Sequence, residues 1–192
     1  MNISLVIYTI ITTCFIIIAL SVMQKFFEND SSKTINEKKS IVETGSMTMF
    51  FLIQYLVIRF HFGEIVTSFT LFRLFLIIFG LYIVIFGTYV NVIGRYQLGK
   101  YWANQIKIYK NHKLLTTGMY QYVRHPLYAS LIWICFGVSI VYQNWVALSL
   151  SLCIFTPFMY YRAKQEEELL MNTFSNYKDY QKTVYMFIPY IL

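Results

Sequence analysis

Apolar and polar residues fall in long blocks along this chain. Five apolar blocks, at residues 3–23, 47–62, 69–93, 126–141 and 146–161, are separated by polar ones. The first block, ISLVIYTIITTCFIIIALSVM, carries no charge. It is long enough to cross a bilayer, which takes roughly 17–25 helical residues. No basic leader precedes it, and bulky Gln24-Lys25-Phe26-Phe27 follows it where a signal would show a small-residue cleavage site. A retained helix is therefore expected. The NDSS run at 29–32 signals a turn. The second block is shorter, with Arg59 and His61 near its far end. The third begins near Arg73, which can snorkel to an interface. Pro126 can open the fourth helix, because proline costs no hydrogen bond in a first turn. Tyr142-Gln143-Asn144-Trp145 leaves room only for a tight turn before the fifth helix. Pro157 predicts a kink in that helix, which should continue past the membrane through AKQEEELLMNTF. The tail ends in FIPYIL, and its Pro189 and aromatic residues suggest an interfacial or packed terminus.

The last two blocks form a helical hairpin. Its polar flanks, KNHKLLTTGMYQYVRHPLY before and YYRAKQEEELL after, therefore return to the same side of the membrane. Lys and Arg tell the same story. Four fall in 24–46, six in 94–126 and four in 162–192, while Arg59 and Arg73 are the only others and sit at block ends. That alternation predicts five crossings with the N-terminus outside and the C-terminus in the cytoplasm. It also gives the division into residues 1–93, three N-terminal spans, and residues 94–192, a loop, a hairpin and a tail.

Composition agrees. The chain is 57% hydrophobic and 13% charged, against about 45–50% and about 25% for soluble domains. The expected fold is an all-α integral membrane bundle of about five transmembrane helices. In a soluble protein a net charge of +7 would raise the question of nucleic acid. Here the basic residues set orientation, and no nucleic-acid partner is expected. Cys14, Cys135 and Cys153 all lie within apolar blocks and lack metal-ligand spacing, so they read as apolar filler. No internal repeat is present.

Candidate chemistry sits in the two flanks. Arg162 and Glu166 are four residues apart and share a helix face. They could form an ordinary surface ion pair. They could equally supply a cation for an anionic substrate beside a carboxylate for a cationic cofactor group. Glu167 and Glu168 add negative charge that topology does not require. Arg124 and His125 are either membrane-flanking side chains or part of an anion site at the helix start, where unpaired N–H groups point outward. Gly118 in TTGMY reads as a turn. Tyr120, Tyr122 and Tyr128 fit an interfacial belt or the walls of a purine site. The chain has no HExxH, GxGxxG or P-loop and no GxSxG elbow. His61, His112 and His125 make no metal cluster with the acids, so no metal is expected.

Taken together, G-x-Y-x-x-x-R-H-P-x-Y and R-x-x-x-E-E at the base of a hairpin resemble the isoprenylcysteine carboxyl methyltransferase family, related to membrane phospholipid methyltransferases. The resemblance covers about 95–192. It implies S-adenosyl-L-methionine as methyl donor, without a soluble Rossmann domain. By motif, the cofactor would touch Gln105, His112, Lys113, Leu114, Leu115, Tyr120, His125, Pro126, Leu127, Tyr128 and Glu166. Arg162 would face the substrate carboxylate, with Glu167 supporting it, and these two are the expected catalytic residues. The acceptor would be a lipid-like or prenylated acid drawn from the bilayer, among membrane lipids. The active site would face the cytoplasm, in a bacterial inner membrane or an endomembrane. Ala163 stands where the family usually has a branched apolar residue, and Phe174-Ser175 where it usually has Phe-Gly. Three other readings compete: a phospholipid N-methyltransferase, a non-catalytic lipid-binding membrane protein, and a membrane reductase using a nicotinamide cofactor.

Overall fold

The computed structural model describes residues 3–28, 34–38, 41–65, 68, 70–99, 106–109 and 114–189, and its described side chains exclude 26–44 and 106–109. The chain is a bundle of apolar helices. Helix α1 spans Ile3–Glu28, α2 Ile41–Arg59, α3 Thr70–Leu98 and α4 Pro126–Val141. Helix α5 (Trp145–Leu150) runs through a π-helical turn at Ser151–Phe155 into α6 (Thr156–Thr173). The short α7 covers Tyr177–Thr183. By length and composition, α1, α3 and the continuous 145–173 rod can each cross a membrane, and 45–59 and 126–141 are shorter apolar helices. The protein is thus an integral, multi-pass membrane bundle, as the blocks of the sequence predict. One non-helical element was not anticipated. Strand β1 (Thr34–Lys38) pairs antiparallel with β2 (Ile106–Tyr109), with an irregularity between Thr34 and Asn36.

The helices meet through small residues. Gly80, Val84, Gly87, Asn91 and Gly94 recur at helical spacing and line one buried face of α3. A Cβ on Gly80 would stand 2.7 Å from the Gly137 carbonyl oxygen of α4, and one on Gly137 would stand 2.8 Å from the Gly80 carbonyl. The two backbones therefore touch directly. Close approach of this kind drives association where lipid is as apolar as the side chains. Deeper along the seam, the Asn91 amide donates to Ser130 Oγ at 2.8 Å. The seam ends with Gly94 beside Pro126, which seats the start of α4 against the polar end of α3.

Helix α2 is fastened by a buried amide. Gln54 Nε2 donates to the Cys135 carbonyl at 3.2 Å, to Ser139 Oγ at 3.3 Å and to Ser151 Oγ at 3.2 Å. That one side chain links α2, α4 and the rod. Phe50 stacks on Phe155 with centroids 4.4 Å apart. Outward faces are apolar: Phe72, Phe75, Phe79, Tyr82, Phe86 and Tyr89 of α3 are all exposed, as lipid contact requires.

The loops gather at two opposite ends. At one, the turn after α4 is tied to the α2–α3 corner. Asn144 Nδ2 donates to Phe62 O at 3.0 Å, Trp145 N to Gly63 O at 3.0 Å and Ile65 N to Gln143 O at 3.0 Å. Asn144 also caps α5 by accepting from Ala147 N at 2.8 Å. At the other end, Arg95 Nη1 donates to Ser21 Oγ at 2.6 Å and Tyr96 OH to Gln24 Oε1 at 2.6 Å. Pro157 falls just after the π turn, where the N–H of Thr156 reaches back five residues to Ser151 O. The extra residue per turn fits the proline ring into a helix that continues to Thr173.

Candidate functional site at the base of the hairpin

The second end carries the candidate chemistry. Gly118 opens a 3-10 turn, Gly118–Gln121, at φ +66°. A side chain there would be strained by the backbone and would also collide with the Gln97 amide, 2.3 Å away. Gln97 Oε1 accepts from Met119 N at 2.8 Å. This fixes the turn so that Tyr120 points inward and donates to Gly94 O at 3.3 Å. Burial pushes the Tyr120 hydroxyl above its ordinary range, and the Glu166 carboxylate adds to that. It remains a protonated donor.

From there the chain reaches Arg124 and His125, directly before α4. The C-terminal tail runs alongside. Arg124 N donates to Tyr185 O at 2.8 Å and His125 N to Met186 O at 3.1 Å. Val123 and Tyr185 form a parallel bridge. Met186 and Phe187 are buried in the cluster that holds Phe50, Phe155 and Met159, so the tail is packed there; residues 190–192 of the expected packed or interfacial terminus lie outside the described residues. Tyr180 OH closes the strap by donating to the Tyr120 carbonyl. Burial raises the Tyr180 hydroxyl above its ordinary range, Arg124 pulling it down and Glu167 pushing it up.

Glu167 is the hub of this region. Its side chain is 1% exposed and pairs with Arg124 Nε at 2.7 Å. His125 Nε2 lies 3.4 Å from the same carboxylate oxygen. Gln181 Nε2 and Lys164 Nζ reach the other oxygen at 3.0 and 3.4 Å. Arg124 is equally engaged, donating also to the carbonyls of Gln181 and Val184. Its guanidinium binds the protein's own carboxylate and tail.

Glu166 differs. Its side chain is 33% exposed, and its carboxylate lies 3.7 Å from His125 Nδ1. The Tyr128 hydroxyl interacts with both Glu166 and Arg162. The Tyr128 ring stacks near-parallel to His125 at 5.6 Å and lies under the Arg162 guanidinium at 5.8 Å. Pro126 is fully buried and Leu127 half-buried at the start of α4. Arg162 is 4% exposed, with Nη1 3.2 Å from the Met47 sulfur.

Of the expected site residues, Tyr120, His125, Tyr128, Arg162, Glu166 and Glu167 are thus one connected group drawn from both flanks. Leu114 and Leu115 are half-buried just before the Gly118 turn. Gln105, His112 and Lys113 lie outside the described residues. Sequence reasoning missed Gln97, Gln181, Tyr180 and Met47. Only Tyr180 carried a signal, the tyrosine pair with Tyr177. Chemically, the group offers a partly open carboxylate among aromatic rings, with a buried cation beside it. Cations and flat rings fit the first part and an anion fits the second. No group of three metal-ligating side chains occurs among the described residues.

Known proteins resemble this chain. Residues 76–172 match the family described as isoprenylcysteine carboxyl methyltransferase (ICMT). A protein-S-isoprenylcysteine O-methyltransferase of Schizosaccharomyces pombe is 35% identical over 83 residues, 43% of this chain and 35% of that protein. Its namesake in Saccharomyces cerevisiae is 32% identical over 82 residues, 42% and 34% of the two chains. The chain thus spans about a third of the length of these curated relatives. A solved structure of the eukaryotic intramembrane Ras methyltransferase ICMT superposes with a TM-score of 0.63 at 24% identity, covering 79% of this chain and 55% of that one. That likeness is one of fold.

Proposed function

The chain belongs to the isoprenylcysteine carboxyl methyltransferase family, and from that premise we propose that it is an S-adenosylmethionine-dependent carboxyl O-methyltransferase acting on a lipid-like acid of the S-isoprenylcysteine kind. One observation carries the reading. The hairpin brings Glu166 and Arg162 from one flank against His125 and Tyr128 from the other. A carboxylate for a cation and a cation for a carboxylate then stand side by side.

The residues fit the donor. Glu166 is open enough to meet a positively charged group, and Tyr120, His125 and Tyr128 supply aromatic walls for a purine. Leu114, Leu115, Pro126 and Leu127 would add apolar contact, with Gln105, His112 and Lys113 completing the motif. Bound S-adenosylmethionine supplies a methyl group on a sulfonium, which a carboxylate oxygen can take without loss of a proton because carboxylates are ionised at neutral pH.

The protein's work is therefore orientation and exclusion of water. Arg162 holds the acceptor carboxylate through charge-assisted hydrogen bonds. The Tyr128 hydroxyl meets both Arg162 and Glu166 and ties the two in place. Glu167 acts as a positioning residue, holding Arg124, His125 and the tail in register beneath the site. Residues 94–192 form the methyltransferase region, and residues 1–93 supply lipid-facing spans that guide the acceptor. The site faces the cytoplasm, the side favoured by the Lys and Arg distribution.

The test uses detergent-purified protein. Calorimetry should detect S-adenosylmethionine and not NADPH, and labelled methyl should enter a base-labile ester. Base-stable label in phospholipid would favour N-methylation instead. Binding of NADPH alone would overturn the methyltransferase reading. Single-cysteine labelling at positions 120 and 64 tests orientation, since the two must react from opposite sides, with 120 cytoplasmic.

A further inference from the structure

The tail carries a buried polar atom that the protein does not use. Tyr177 lies beyond residues 76–172, the stretch that matches the family. It opens α7, with its N–H donating to Phe174 O at 3.1 Å. Tyr177 is 1% exposed, and its ring lies edge-on to Tyr180 with centroids 5.8 Å apart. Its hydroxyl oxygen is buried and has no hydrogen-bond partner among the described residues. Glu167 is the charged neighbour that acts on it most strongly, but that carboxylate is already saturated. Arg124 and His125 share one oxygen, and Gln181 and Lys164 share the other. These fill the roughly four acceptor positions that a carboxylate offers. Burial, and after it Glu167, holds the Tyr177 hydroxyl above its ordinary range, against the pull of Arg124. The group therefore keeps its proton and is poised to donate it. A buried donor left unpaired destabilises a fold, and a phenylalanine would fill the same space without that penalty.

We propose that the Tyr177 hydroxyl is a cofactor-binding group, donating a hydrogen bond to an uncharged acceptor atom in the adenosine part of the methyl donor. This rests on the reading of the hairpin base as a site for S-adenosylmethionine. Two features select the adenosine. Tyr177 packs on Tyr180, whose hydroxyl holds the Tyr120 carbonyl, and Tyr120 is one of the walls proposed for the purine. Glu166 and Glu167 both act on Tyr177, and two negative charges disfavour the donor's own carboxylate as a partner there. A purine nitrogen or a ribose oxygen accepts a hydrogen bond without bringing charge. Adenosine is unchanged when the methyl group leaves, so Tyr177 holds donor and product alike.

The test is Tyr177→Phe in the full chain in detergent, read by melting temperature without ligand and by calorimetric titration. Without ligand the variant should melt no lower than wild type, because the deleted hydroxyl bonds to nothing in the protein. It should bind S-adenosylmethionine and S-adenosylhomocysteine each about fivefold more weakly, the factor that one hydrogen bond supplies. Unchanged affinity for both ligands would overturn the role of Tyr177. So would a loss confined to S-adenosylmethionine, since the contact would then follow the sulfonium charge. A melting temperature several degrees below wild type would make the hydroxyl a structural group and overturn the role as well. Wild-type protein that binds neither ligand would instead overturn the reading of the site, and the role of Tyr177 with it.

Discussion

Arg124 and Glu167 form a 2.7 Å ion pair in which the two side chains are 8% and 1% exposed. The pair joins the segment before α4 to the middle of α6, and through Gln181 and Val184 it also holds the tail. Both charges are committed to the scaffold. Glu166, the neighbouring acid, is instead 33% exposed.

Removal of one partner should therefore be felt as lost stability. Glu167→Ala leaves a buried guanidinium uncompensated, and breaking such a pair costs about 3–5 kcal/mol. Thermal unfolding in detergent checks this. Glu167→Gln should cost less, because the amide still accepts from Arg124. A Glu167→Ala protein as stable as wild type would remove Glu167 from its positioning role.

Arg162 and Glu166, in the proposed roles, should separate in kinetics. Arg162→Ala is expected to slow methyl transfer about 10–100-fold, the worth of one or two hydrogen bonds to a charged group, with donor affinity nearly intact. Glu166→Gln should weaken donor binding instead. Titration of S-adenosylmethionine against both variants, alongside turnover at saturation, checks the division. The roles are wrong if Arg162→Ala loses the donor and keeps its turnover.

The strap should matter to the donor more than to the acceptor. Tyr180→Phe deletes the hydrogen bond to the Tyr120 carbonyl, worth about 1 kcal/mol. Loosening Tyr120 should raise the donor's KM a few-fold, with the acid's KM changed little. Steady-state kinetics in both substrates reads this out.

Much of this was legible because membrane helices announce themselves in composition. The apolar blocks at 126–141 and 146–161 fall within the observed helices, and Pro126 opens α4 as expected. The RHP and R-x-x-x-E-E motifs located His125, Arg162 and the two acids. What the sequence hid depended on partners distant along the chain. Gly80 and Gly137 are ordinary glycines until α3 crosses α4. Gln181 and Met47 sit in stretches whose composition signals nothing, and they act only because folding carries them to Glu167 and Arg162. The division of labour between Glu166 and Glu167 was also hidden, since adjacent helical residues look alike in sequence and point about 100° apart in space.

The glycine seam makes its own prediction. Gly137→Val in α4 drives new atoms into the Gly80 carbonyl and the Val84 and Ile83 side chains. Overpacking typically costs about 1–3 kcal/mol. Gly45→Ala, where a Cβ meets nothing within 4 Å, should be tolerated. Melting temperatures of the two variants in detergent compare them directly.

The knot at the opposite end of the bundle couples the helices that it joins. There the corner after α2 is fastened through Asn144, Trp145 and Ile65 to the turn that begins α5, and Gln54 anchors the same helix midway. Helix α2 is thus pinned at its foot and its waist, so α2, α4 and the rod should loosen together, and amide exchange along the three is expected to slow to a common rate.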